Sequence, residues 1–224
     1  MKVLEKYQNS NLNNSDVKWY LFREQLWVTK CKNYTEIEKS ISKSVGSFNF
    51  LYESNDTVLF HKEGRFETTI IYLSGRINND IRTGYADILK TGKRGDIFLS
   101  EKKNIDFEFP SPVVYNENED ILLSLPMKFD IQKDKIIYIV DDFGFFIANH
   151  RLKGWFLKDA SGHVCITQEY NKEITPLILA RYLKALKVWE ESEDKTELEG
   201  LLEECEIKEK EFSHALRQCI MNLL

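Results

Sequence analysis

Residues 135–167, which read KIIYIVDDFGFFIANHRLKGWFLKDASGHVCIT, decide the predicted fold of this chain. Apolar runs at 136–140, 145–149, 154–157 and 163–167 are separated by connections of four or five residues. Two of these three connections contain both Asp and Gly, which are favoured in tight turns. Because such short connections join antiparallel neighbours, the segment predicts a four-stranded antiparallel meander.

Further strand-like runs precede the meander, with one helical segment among them. The runs lie at 48–52, 57–61, 66–73, 97–99, 105–109 and 121–125. In the segment 105–109, IDFEF, apolar and acidic residues alternate, and Pro110 and Pro112 follow. This pattern predicts a half-buried strand at a sheet edge. Tyr34, Ile37 and Ile41 recur at helical spacing and predict a short helix over 33–44.

The last quarter of the chain has a different, helical period. Thr175 and Pro176 supply an N-cap hydroxyl and a first-turn proline, which predict the start of a helix. Thr196 and Glu199 have the spacing of a capping box and predict a second helix, and a third is expected from about Glu206. Together with the strands, these two to three C-terminal helices predict an α+β fold with a mostly antiparallel sheet.

The charge distribution divides the chain at the same place. Residues 1–172 carry 24 acidic and 24 basic side chains, whereas residues 173–224 carry 12 acidic and 7 basic ones. The sequence therefore predicts a neutral β-rich body over 1–172 and an acidic helical unit over 173–224. The helical unit is expected to pack on the body, with a single continuous domain as the alternative.

Composition excludes several classes of protein. The longest apolar runs are far shorter than the roughly 20 residues that cross a bilayer, so no membrane partner is expected. The first ten residues, MKVLEKYQNS, lack an apolar signal core, which predicts a cytoplasmic protein. The four cysteines, at 31, 165, 205 and 219, lack zinc-site or redox spacing and are expected to be reduced. No motif for a cofactor or a bound metal is present, so none is predicted.

One catalytic alternative involves the segment DIFLSEKK at 96–103. A strand carrying Glu101 and Lys103 would place both side chains on one face, where they could bind a metal ion and a water, with Asp87 or Asp96 as a second ligand. This arrangement resembles the core of restriction-endonuclease-like nucleases, which would imply a metal-dependent nuclease. The sequence favours a solvated loop at 101–103, because three residues of such common types match by chance in many chains.

Other polar segments favour structural interpretations. Asp141 and Asp142 follow an apolar run and could bind magnesium, but the segment DDFG is ordinary turn chemistry. Lys90, Lys93 and Arg94 form the densest basic patch, yet a formal net charge of -5 disfavours binding to nucleic acid. These segments are therefore predicted to be turns.

The acidic cluster Glu190, Glu191, Glu193 and Asp194 is the candidate partner-binding site. Its functional interpretation is docking to another protein with a basic surface, and the alternative is a solvated helix face with Lys pairs. For each candidate catalytic group of residues, the structural interpretation is the favoured one. The sequence therefore favours a non-catalytic protein over an enzyme. We expect an inhibitor or immunity-type protein, a regulator or an accessory subunit. A small-ligand sensor with an apolar pocket in the body is a further alternative.

Overall fold

The structure is a computed structural model that describes residues 1–8, 10–47, 56–73, 75–79, 82–110, 112–125, 129–130, 132–166, 174–192, 194–208, 212 and 214–224. The described strands are β1 (Val3–Lys6), β2 (Val17–Tyr20), β3 (Gln25–Val28), β4 (Ser44–Ser47), β5 (Thr57–His61), β6 (Phe66–Tyr72), β7 (Ile77–Asn79), β8 (Lys93–Arg94), β9 (Asp96–Leu99), β10 (Val113–Asn116), β11 (Ile121–Ser124), β12 (Lys135–Tyr138), β13 (Phe143–Ala148), β14 (Arg151–Lys158) and β15 (Val164–Cys165). The described α-helices are α1 (Tyr34–Ile41), α2 (Tyr85–Leu89), α3 (Pro176–Ser192), α4 (Thr196–Ile207) and α5 (His214–Leu223).

The strands form three sheets, and most pairings are antiparallel, which confirms the α+β prediction. The largest sheet has the spatial order β7-β10-β11-β14-β13-β12-β8, and only its two edge strands, β7 and β8, pair in parallel. The second sheet has the order β15-β2-β3-β6-β5-β4, and β1 with β9 forms a separate two-stranded ribbon.

The meander prediction is correct for three strands and wrong for the fourth. Strands β12, β13 and β14 pair consecutively as expected. After β14, the Asp120 carboxylate accepts hydrogen bonds from the backbone and hydroxyl of Ser161, and a short 3-10 turn at Ser161–His163 redirects the chain. Strand β15 therefore pairs in parallel with β2 in the other sheet rather than with β14.

The predicted strand at 105–109 is also wrong, because side chains capture its backbone groups. The Phe109 amide donates to the Asp56 carboxylate at 2.9 Å, and Arg76 donates to the Phe109 carbonyl at 3.0 Å. The segment therefore runs without strand pairing. The strands predicted at 57–61, 66–73, 97–99 and 121–125 are found to within one residue. The strand predicted at 48–52 falls outside the described residues.

The helix predictions agree with the structure at some helix ends and differ from it at others. Helix α1 begins at the Asn33 N-cap, and the Thr175 hydroxyl accepts a hydrogen bond from the Ile178 amide at the start of α3. The capping box predicted at Thr196 is wrong, because the amide and hydroxyl of Thr196 both donate to the Asp194 carboxylate. The third helix begins at His214 rather than near residue 206, since α4 continues to Ile207.

Successive side chains along the strands face opposite sides of each sheet, so the core is layered. In the second sheet, Trp19 and Leu26 face the interior between the sheets, whereas their neighbours Tyr20 and Trp27 pack with α1 on the outer face. The seven-stranded sheet likewise directs alternate side chains inward and toward α2. The inner cluster also includes buried side chains of the C-terminal helices, namely Leu179, Tyr182, Leu198, Leu216 and Ile220.

Candidate protein-binding surface

The C-terminal helices turn one face toward the protein core and one face outward. Helix α3 contacts β7, the edge strand of the seven-stranded sheet, and α4 and α5 pack successively behind it. In α4 the buried side chains are Leu198, Leu201 and Cys205, spaced three and four residues apart. Because this spacing defines one helical face, the side chains between them point away from the core.

Exposed apolar side chains are concentrated on this helical unit. Six large hydrophobic residues of the described chain are exposed, and four of them belong to the last quarter: Leu177, Ile207, Met221 and Leu224. Ile207 is the most exposed, at 81%. Single exposed hydrophobic residues are common on any surface, and those of the described chain are more frequent in the helical unit than in the body.

Side chains of the predicted acidic cluster form an ion pair and hydrogen bonds within the protein. Glu191 pairs with Lys187 at 3.6 Å. The Asp194 carboxylate caps α4, and the hydrogen bonds from Thr196 lower its pKa. Partial burial and the neighbouring Glu24 carboxylate raise the pKa of Glu190. Glu193 lies outside the described residues.

The carboxylates that remain available lie on α4 instead. Glu197 pairs with Lys184, Glu204 with Arg181 and Glu206 with Arg217. Glu199 and Glu203 are exposed and form no ion pair with a described residue. Since Glu199, Glu203 and Ile207 follow each other at intervals of four, they line one helical face. We call these three residues the α4 outer surface.

The carboxylates of the nuclease alternative each have a separate cationic partner. Asp87 binds Lys90 at 2.7 Å, Asp96 binds Arg65 at 2.6 Å and Glu101 binds Lys103 at 2.5 Å. The last pair lies in the irregular chain after β9, not on a strand. Asp96 is fully buried, and burial raises its pKa against the opposing effect of Arg65. Within the described ranges, no three His, Cys, Asp or Glu side chains converge on a possible metal position.

His163 serves as a link between structural elements. Its Nδ1 lies 3.1 Å from the Val17 carbonyl, and its Nε2 lies 3.3 Å from Oδ2 of Asp142. The Ser161 hydroxyl donates to Asp120 instead. Because both ring nitrogens face oxygen acceptors, His163 is not placed to activate Ser161 as a nucleophile. Asp142, one of the two predicted turn residues, also accepts a hydrogen bond from Asn14 at 2.7 Å.

Two cavities bear on the small-ligand alternative. An apolar cavity at the junction of the body and α3, beside Trp19, Leu73 and Leu186, has a volume of about 20 Å³. That volume suits a water molecule rather than a metabolite. A larger cavity of about 380 Å³ lies beside Tyr138 and Asp159 and is lined by both apolar and charged side chains. The sensor alternative therefore stays a prediction.

A second exposed surface, on the β1–β9 ribbon, was missed by the sequence analysis. Leu4 and Phe98 are directly paired in the register, and Leu4 and the nearby Tyr7 are the two exposed large hydrophobic residues that the described part of the body contains. Lysines surround them, with the Lys6 ammonium 4.1 Å from the centre of the Phe98 ring. The available signal was the strand alternation of Val3, Leu4, Glu5 and Lys6, which brings Leu4 and Lys6 to one face.

Comparisons of the chain with protein-family models, with curated proteins and with solved structures give no match. No helix in the described part of the chain is both long enough and apolar enough to cross a membrane. The functional interpretation therefore depends on the chemistry of the surfaces described above.

Proposed function

We propose that this protein is a non-catalytic protein-binding module, of inhibitor or immunity type, a regulator or an accessory subunit. It contacts a partner with a basic surface through the α4 outer surface. The observation that carries the proposal is the placement of Ile207, the most exposed large hydrophobic residue, beside Glu203, a carboxylate without an ion-pair partner among the described residues.

This combination suits protein association for two physical reasons. Burying an Ile side chain in an interface is worth about 1.5 to 3 kcal/mol, so Ile207 can act as an apolar anchor. Glu199 and Glu203 contribute long-range attraction, which accelerates association with a basic partner and selects against acidic ones. The acidic side chains already paired with Lys or Arg contribute less, because their charge is locally balanced.

The test is quantitative affinity capture from the native source with wild-type bait and a double variant, Glu203→Lys with Ile207→Ser. We expect at least about a tenfold loss of the principal captured protein, because both the anchor and an attractive charge are removed. Glu38→Lys on α1 is the matched control, since Glu38 is also exposed and forms no ion pair within the described structure. Equal capture by wild type and double variant, or an equal loss in the control, would contradict the proposal.

A further inference from the structure

The ribbon formed by β1 and β9 presents an exposed surface of apolar and basic side chains. Val3, Ile97 and Leu99 fill its inner face and are buried. Its outer face carries Leu4 and Phe98, and Tyr7, which directly follows β1, is 60% exposed. We call this surface, together with Lys2, Lys6, Lys93 and Lys102, the basic ribbon.

The basic ribbon carries an unbalanced positive charge. Its four lysines are exposed and form no ion pair with a described residue. The acidic residues of the same two strands are engaged: Glu5 binds Lys135 and Asp96 binds Arg65.

The basic ribbon and the helical unit contact different strands of the seven-stranded sheet. The helical unit packs against edge strand β7 through α3. The ribbon contacts β12, the neighbour of edge strand β8, and the Gly95 amide between β8 and β9 donates to the Tyr138 carbonyl. One copy of the chain can therefore present both surfaces to two neighbours at once.

We propose that the basic ribbon of one copy binds the α4 outer surface of a second copy, in a head-to-tail arrangement. The surfaces are complementary in charge, and each carries exposed apolar side chains to bury. The inference rests on the proposed function for the α4 outer surface and names its basic partner as another copy of this chain. A heterologous contact of this kind closes into a ring or continues as a filament.

The structure favours this occupant over single-stranded nucleic acid. Base stacking requires open aromatic faces. The Lys6 ammonium already lies over the Phe98 ring, and the Lys93 ammonium lies 5.5 Å from the centre of the Tyr7 ring.

The test compares two variants of the full chain by sedimentation velocity. The ribbon variant combines Lys6→Gln, Tyr7→Ser and Lys93→Gln, and the helix variant combines Glu203→Gln and Ile207→Ser. Between about 1 and 100 μM, wild type is expected to form species larger than a monomer, whereas each variant alone remains monomeric. An equimolar mixture is expected to form a one-to-one dimer and nothing larger, because it retains one intact ribbon and one intact α4 outer surface per pair.

Matched controls and contrary results complete the test. Lys39→Gln and Glu38→Gln, both at exposed positions of α1, should associate as wild type does. A monomeric wild type, or self-association of the helix variant alone, would overturn the inference. So would a wild type that stays monomeric but binds a single-stranded DNA of about 20 nucleotides through the ribbon. A monomeric wild type that still captures another protein through α4 refutes only the self-association, whereas the absence of both refutes the proposed function too.

Discussion

The β-rich body and the helical unit both contain ion pairs between a carboxylate and a Lys or Arg side chain, but the pairs differ in how far they are buried. In the body, the carboxylates of Asp56 and Asp96 are fully buried against Arg76 and Arg65. On the helices, the pair of Glu197 with Lys184 is open to solvent at both ends. The Asp56 carboxylate also accepts two backbone hydrogen bonds, whereas Glu197 accepts none from the backbone of a described residue. Burial therefore makes a pair structural, while exposure leaves carboxylates available for association.

Among the substitutions that test this contrast, Asp56→Ala is expected to have the largest effect on the free energy of unfolding. The substitution removes the acceptor of the Tyr72 and Phe109 amides and the only carboxylate that binds Arg76 among the described residues, which leaves the guanidinium with backbone carbonyls alone. Because an uncompensated buried charge is involved, we expect a loss of about 3 to 5 kcal/mol in the free energy of unfolding, measured by urea denaturation.

A control substitution that removes an exposed carboxylate shows how much of this loss would follow from removing any acidic side chain. Glu38→Ala on the exposed side of α1 should change the free energy of unfolding by less than about 0.5 kcal/mol. If Asp56→Ala destabilised the protein no more than this control, the contrast between buried and exposed pairs would be wrong.

These pairs also show where prediction from sequence succeeds and where it stops. Strand periodicity and Thr175-Pro176 depend on neighbouring residues, so β12 to β14 and the start of α3 were predictable. The partner of Asp56 lies 20 residues away in sequence, and no local pattern signals it. The failures at 105–109 and at β15 have the same cause, since distant carboxylates, of Asp56 and Asp120, redirect the backbone there.

The candidate surface was predictable only in outline. The charge count directed attention to the helices, but it could not distinguish Glu191 and Asp194, which are engaged, from Glu199 and Glu203, which form no ion pair with a described residue. That distinction depends on which side chains α3, α4 and α5 bring together. The basic ribbon was hidden because the lysines of β1 and of residues 93–102 are far apart in sequence.

The partly buried pair of Glu5 with Lys135 is expected to change the free energy of unfolding by an amount between those of the buried and the exposed pairs. Glu5 is 9% exposed and binds Lys135. Burial alone would raise the pKa of Glu5, but the hydrogen bond and charge of Lys135 outweigh it, so the pKa lies below its ordinary value of 4.5. We expect Glu5→Gln to lower the free energy of unfolding by about 0.5 to 1 kcal/mol at neutral pH.

The same variant carries a pH dependence of defined sign. A depressed carboxyl pKa stabilises the folded state above the unfolded pKa, and this contribution is lost as the pH falls through the folded pKa. The difference between wild type and Glu5→Gln should therefore shrink below about pH 4.5, as followed by urea unfolding across a pH series. A difference that stayed constant or grew on acidification would contradict the assignment of the stabilising effect to the ionised carboxylate.

The smallest effect is expected for the exposed pair on the helices. Glu197 and Lys184 lie 3.6 Å apart, and both side chains are exposed to solvent. Glu197→Gln should change the free energy of unfolding by no more than about 0.5 kcal/mol, because water and salt screen the pair. Urea denaturation at low and high salt gives the measurement, and the difference between the variant and wild type should vanish in high salt. A change as large as that for Glu5→Gln would mean that the helical charges stabilise the fold, and the functional interpretation of the neighbouring Glu199 and Glu203 would lose its basis.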